Sequence, residues 1–140
     1  MSDRFFLDTN VFAYSFDSSA PEKAAKAASL IAEALASHRG VISYQVVQEF
    51  FNLAFRKFRR PMNSAQAGQY LATVLRPLLA VHSSAALYAE ALRLYGQSGL
   101  AWYDALIVAA AQQSGCTTLL SEDLQHGRTF GSLRVVNPFV

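Results

Sequence analysis

Five of the ten acidic side chains, Asp8, Glu49, Asp104, Glu122 and Asp123, stand where short apolar runs end or where amphipathic segments begin. Carboxylates that meet in one pocket repel by about 4 kcal/mol per pair at 4 Å when the effective dielectric is near 20. Such a cluster holds together if some members take up protons or if a divalent cation sits among them. An all-oxygen donor set favours Mg²⁺ or Mn²⁺ over zinc. A cation with open positions binds a phosphate oxygen and lowers the pKa of a bound water, and the two effects together are the chemistry of phosphodiester hydrolysis.

The elements that must position these acids follow from hydrophobic patterning. Phe5 to Leu7 reads as a buried strand that leaves through the turn-forming Asp8-Thr9-Asn10. Ser19 and Glu22 have capping-box spacing around Pro21 and predict a helix start there. Gly40 to Ile42 is a second strand, followed by a cap at Ser43 and a helix running through Phe58, which Pro61 stops. A helix from Asn63 and Gln66 is expected to end before Arg76-Pro77, with a third strand at Leu78 to Val81. Ser83 or Ser84 caps a helix with the stripe Tyr88, Ala91, Leu92 and Tyr95, and another helix runs from Trp102 to Ser114 with Gly115 as its C-terminal cap. Thr117 to Leu120 and Leu133 to Val136 complete five strands.

Short apolar strands alternating with helices predict an α/β fold with a mostly parallel sheet covered on both faces. Ligands of such sheets bind outside the carboxyl ends of the strands. Asp8 and Asp123 follow strands, and Glu49 lies in the second turn of the helix that leaves the second strand, so topology alone gathers these three. No such rule places Asp104. Each acid also has a plain structural reading: an Asx turn for Asp8, a favourable helix-dipole position for Asp104, a turn for Asp123, and a solvated helix face for Glu49, beside Gln45, Gln48, Asn52, Arg56 and Arg60.

Composition narrows the class. With 140 residues, 52% hydrophobic and 16% charged, the chain can form one domain over residues 1–140 with a core of its own. The low charged content hints at a further buried surface, as in a homodimer. One cysteine, Cys116, and three scattered histidines give neither a disulfide nor zinc-ligand spacing, which suits a reducing compartment. An acid interrupts the short apolar stretch at Met1 to Asp8, so no secretory signal is read there. The longest apolar run, Ala105 to Ala111, is too short for a bilayer. A net charge of +2 is too small to identify a nucleic-acid binder.

In their order along the chain, four motifs resemble those of the PIN-domain nucleases, and among them the VapC-type toxins of bacterial toxin–antitoxin pairs. Phe6-Leu7-Asp8-Thr9-Asn10-Val11 is similar to the opening motif, Gln48-Glu49-Phe50 to the second, Trp102-Tyr103-Asp104-Ala105-Leu106-Ile107 to the third, and Leu120 to Gly127 to the fourth. The acids at Asp8, Glu49, Asp104 and Asp123 are separated by 41, 55 and 19 residues. The resemblance implies a PIN-like three-layer fold, a central sheet of four to five mostly parallel strands flanked by helices. It also implies a cytoplasmic, Mg²⁺-dependent endoribonuclease, with Mn²⁺ as a substitute, a cognate antitoxin and a homodimeric assembly without a membrane. Asp8, Asp104 and Asp123 would hold metal, directly or through water. Glu49 would take a second metal or orient the attacking water. Thr9, Asn10 and Ser121 would supply hydrogen bonds. Glu122 departs from a clear pattern: it adjoins Asp123, which is the preferred ligand of the two.

The basic run Arg56-Lys57-Phe58-Arg59-Arg60 offers RNA contacts, and on a continued helix Arg56 and Arg60 would project near Glu49. Tyr44, Trp102 and Tyr103 are candidates for base stacking, each with core packing as the alternative. His126 reads as a loop hydrogen bonder rather than an acid or base. A haloacid-dehalogenase-type phosphatase would need a second acid two residues after the first, where this chain has Asn10. A structure-specific DNA nuclease with the same acids, and a non-catalytic acidic pocket for a basic partner, are the other readings.

Overall fold

The computed structural model describes residues 3–140; Met1 and Ser2, part of the stretch read above for a signal and of the domain expected over 1–140, lie outside the described residues. Six strands form one sheet: β1 (Phe5–Leu7), β2 (Gly40–Ser43), β3 (Leu79–Val81), β4 (Thr118–Leu120), β5 (Thr129–Phe130) and β6 (Leu133–Val136). Their spatial order is β3-β2-β1-β4-β6-β5, parallel throughout except that β5 runs antiparallel to β6. The sheet therefore exceeds the expected four to five strands by β5. That strand is two residues long, and Gly131 (φ 61°) makes the turn into β6, so no apolar periodicity announces it.

The helices are α1 (Thr9–Tyr14), α2 (Pro21–Ser37), α3 (Tyr44–Arg56), α4 (Ser64–Tyr70), α5 (Arg76–Leu78), α6 (Ala85–Ser98) and α7 (Trp102–Gln113). Helix α1 replaces the loop expected after β1. Asp8 is its N-cap, accepting a 2.8 Å hydrogen bond from the Thr9 N–H, and Val11 and Phe12 anchor it in the core. Ser19 does not cap α2: its hydroxyl and N–H are turned to Asp17, and the helix opens on Pro21. Asn63 and Gln66 form a capping box at the expected helix start. Arg76-Pro77 does not stop the chain's helical course, because a π-helical stretch at Leu71–Leu75 resets the hydrogen bonding and Pro77 falls in the first turn of α5. Ser84 caps α6, but the face that packs inward is Leu87, Ala91 and Leu94, while Tyr88, Leu92 and Tyr95 of the expected stripe face outward.

Strands β1 and β2 lie almost wholly inside, as parallel strands covered on both faces must, and α7 is apolar all round because it too is interior, with every residue from Ala105 to Ala111 buried. Close approach of α2 to β2 requires Gly40: a Cβ there would stand 2.2 Å from the Cβ of Ala34. The sheet order fixes the chemistry's location. β1 has β2 on one side and β4 on the other, so the chain leaves its carboxyl edge in opposite directions and opens a crevice there. No helix among the described residues is long and apolar enough to cross a membrane.

Candidate active site

The register between β1 and β4 pairs Leu7 with Leu120, so the next residues, Asp8 and Ser121, emerge side by side. The Asp8 N–H donates to the Leu120 carbonyl at 3.0 Å, and Ser121 Oγ donates to Asp8 Oδ2 at 2.7 Å. Ser121 Oγ also accepts from the Asp123 N–H at 3.2 Å, which orients the turn carrying that acid. From the other side, Thr9 Oγ1 donates to Glu49 Oε1 at 2.7 Å, and Gln45 Nε2 donates to Glu49 Oε2 at 3.1 Å. Gln45 Nε2 lies 3.1 Å from the Tyr103 carbonyl as well, so one amide ties the first turn of α3 to the first turn of α7. That tie, together with the burial of α7, brings Asp104 to the crevice where strand topology gave no rule. Gln45 is the positioning residue that the sequence reading placed only on a polar face.

Asp123 and Glu49 both act on Asp8 and on Asp104. Burial pushes the Asp8 carboxyl up to about 7; the Ser121 and Thr9 hydrogen bonds oppose this, and Asp123 and Glu49 add to it. Burial likewise raises Asp104, with Asp123 and Glu49 contributing. Asp123 is raised by burial, then by Glu122 and Glu49. The Asn10 amide is close enough to Asp123 to counter part of that rise, yet it misses hydrogen-bond geometry, so both of its polar atoms are buried without a partner. Three carboxyls made reluctant to ionise, beside an unpartnered amide, are a hard-oxygen donor set short of positive charge.

Among the described residues, no three acids, histidines or cysteines stand close enough to ligate one ion together. An ion at this crevice would be held by these carboxylates directly or through water.

Glu122 faces elsewhere. It accepts from Tyr14 Oη at 2.5 Å and from Lys23 Nζ at 3.0 Å, and these partners, Tyr14 first, hold its carboxyl below the usual range. Lys23 also sits over the Tyr14 ring, 4.7 Å from its centroid. Glu122→Gln is thus expected to leave the activity of the acid cluster within about threefold of wild type, whereas Asp123→Asn is expected to lower it at least about a hundredfold. Single-turnover rates of the two variants check this, and the reverse order would place the wrong acid in the cluster.

The remaining candidates scatter. Helix α3 ends at Arg56 with Lys57 as its C-cap, so the continued helix that would carry Arg60 past Glu49 does not exist, and both Arg56 and Arg60 are exposed. The Phe58 N–H turns back to the Leu53 carbonyl, and the half-buried Phe58 ring packs on Phe50, which ends the helix early. Tyr44 and Tyr103 are exposed, and Trp102 is half-buried against Tyr95. His126 Nδ1 accepts from the Asn137 N–H at 2.9 Å, a loop hydrogen bond as expected.

Residues 5–129 match the PIN domain family. The chain belongs to that family. The PIN fold is also what the solved structures share with it. A toxin–antitoxin complex from Klebsiella pneumoniae superposes with a TM-score of 0.65 at 19% identity, covering 95% of this chain and 96% of that one. VapC20 of Mycobacterium tuberculosis, described as a sarcin-ricin loop cleaving toxin, gives 0.58 at 19% identity over 85% of this chain and 91% of that one. VapBC2 of Rickettsia felis, bound to a promoter DNA fragment, gives 0.61 at 20% identity over 94% and 96%. No curated protein matches the chain in sequence.

Proposed function

We propose that this PIN domain, taken as one unit over residues 1–140, is a divalent-cation-dependent endoribonuclease, with Mg²⁺ as the working ion and Mn²⁺ as a substitute. The observation that carries the reading is the meeting of Asp8, Glu49, Asp104 and Asp123 at the carboxyl edge of β1 and β4, with the Asp8, Asp104 and Asp123 carboxyls raised. Asp8, Asp104 and Asp123 would hold the ion, which supplies charge neutralisation at the phosphate and a water of lowered pKa.

The chain's own groups do the rest. Ser121 and the Thr9 N–H fix the two oxygens of Asp8, and Ser121 also fixes the turn bearing Asp123. Glu49, held at both oxygens by Thr9 and Gln45, orients the attacking water. The water oxygen bonds to phosphorus as the bond to the 3′ oxygen breaks, so the products are a 5′-phosphate and a 3′-hydroxyl. RNA incubated with the purified protein should be cut with Mg²⁺ or Mn²⁺, stay intact in chelator, and carry 5′-phosphate ends when the fragments are sequenced. Cyclic phosphate ends, or full activity in chelator, would overturn the reading.

The toxin–antitoxin complexes among the fold neighbours support a biological setting as the toxin of such a pair, in the cytoplasm, with a cognate antitoxin covering the site. The reading includes a homodimer, for which the outward Tyr88, Leu92 and Tyr95 of α6 offer apolar surface.

A further inference from the structure

A cavity of about 350 Å³ lies between α1 and the end of α3, and it meets the acid cluster only through Asn10. Asn10, whose amide lies against Asp123, lines it, as do Lys57 and Arg59. Leu53, one turn beyond Glu49 on α3, and Lys57, the C-cap of that helix, both line the cavity. Neither Lys57 nor Arg59 forms an ion pair among the described residues. The one acid on the wall, Asp17, accepts from the Ser19 hydroxyl and N–H and keeps its charge, which acts on Arg59. On the same wall stand Phe16, 45% exposed, and Phe58, their ring centroids 5.2 Å apart, with Phe16 backed by Phe50 and Tyr70.

We infer that this cleft is the subsite for the single-stranded RNA flanking the scissile phosphate, with Lys57 and Arg59 holding a neighbouring phosphate and Phe16 giving a stacking platform for a base. This rests on the ribonuclease reading above. Charge complementarity selects the occupant: two cations against one carboxylate leave the wall net positive, so a strand whose scissile phosphate lies at the acid cluster would set its next phosphates beside Lys57 and Arg59. A fixed aromatic face accepts any base. These residues differ from the Arg56, Arg60, Tyr44, Trp102 and Tyr103 expected from the sequence, because the early end of α3 redirects the basic run into the cleft.

The test uses the full chain carrying Asp104→Asn, so that RNA is bound and not cut, and a fluorescein-labelled single-stranded RNA of mixed sequence. Adding Lys57→Ala and Arg59→Ala should weaken binding at least about tenfold and reduce the slope of log affinity against log salt by about 1.4, as the loss of two single-strand phosphate contacts requires. Lys26→Ala with Arg134→Ala, an equal charge loss at exposed residues outside the cleft, should change affinity less than threefold. Phe16→Leu should weaken binding about fivefold or more, and Phe16→Tyr should restore it. Affinity and slope unchanged by the cleft pair, or lost equally with the control pair, would overturn the inference and leave the ribonuclease reading in place, the cleft then falling to a protein partner. A parent protein with no RNA binding at all would overturn both.

Discussion

Asp8→Asn is expected to abolish hydrolysis, with a loss of about 10³-fold or more, while making the metal-free protein more stable near pH 8. The two effects have one cause. Asp8 is 4% exposed and shares its crevice with three other carboxylates, so its charge is costly to the fold and useful only to an ion. An amide keeps the shape. Its oxygen still accepts from the Thr9 N–H, and its NH₂ meets Ser121 Oγ, which rotates to accept. Loss of a charged ligand removes about 4 kcal/mol of stabilisation of the reacting phosphate, hence the thousandfold figure. Asp104→Asn should lose activity to a similar degree. Paired measurements of single-turnover rate and chemical denaturation in chelator check the dissociation, and a variant that is inactive because it is less stable would contradict it.

The second large effect is on stability against pH. Asp8 is raised from 3.8 to about 7 in the folded protein, so between those values the folded state binds a proton that the unfolded chain does not. Its contribution to stability is complete below about 3.8 and is lost as pH rises through 7. The displacement corresponds to about 4 kcal/mol. Asp104 and Asp123 are raised as well and act with the same sign. Glu122 is lowered and acts oppositely, but in a more acidic range, below its ordinary 4.5. In chelator, the melting temperature should therefore fall by on the order of 10 °C from pH 5.5 to 8. Saturating Mn²⁺ should remove most of that fall, because the ion competes with protons for the same oxygens. A melting temperature in chelator that is flat or rises over this range would contradict the crowding of acids.

The positions of β1, β2, β4 and β6, and so of Asp8 and Asp123, are legible in the sequence because each is an apolar run closed by turn residues, and β–α alternation fixes their common edge. Helix α1 is less legible. Six residues are too few for a periodic signal, and Asp8 favours a turn and a helix cap equally. Asp104 was placed by family resemblance; the physical reason, the Gln45 amide bridging Glu49 and the Tyr103 carbonyl, joins residues 58 apart and leaves no local trace. The outward stripe of α6 has the same spacing as a buried one, so periodicity alone cannot tell which face packs inward. The pairing of Glu122 with Tyr14 and Lys23 is equally non-local, and it separates two adjacent acids that look alike in sequence.

Calorimetric titration of Mn²⁺ into the metal-free protein at pH 7.5 tests most directly whether these carboxylates form one cation site. Saturable binding with release of protons is expected, weakened at least about tenfold to a hundredfold in the Asp8→Asn/Asp104→Asn double variant. Equal Mn²⁺ affinity in the wild type and the double variant, or no binding at millimolar ion in the wild type, would contradict it.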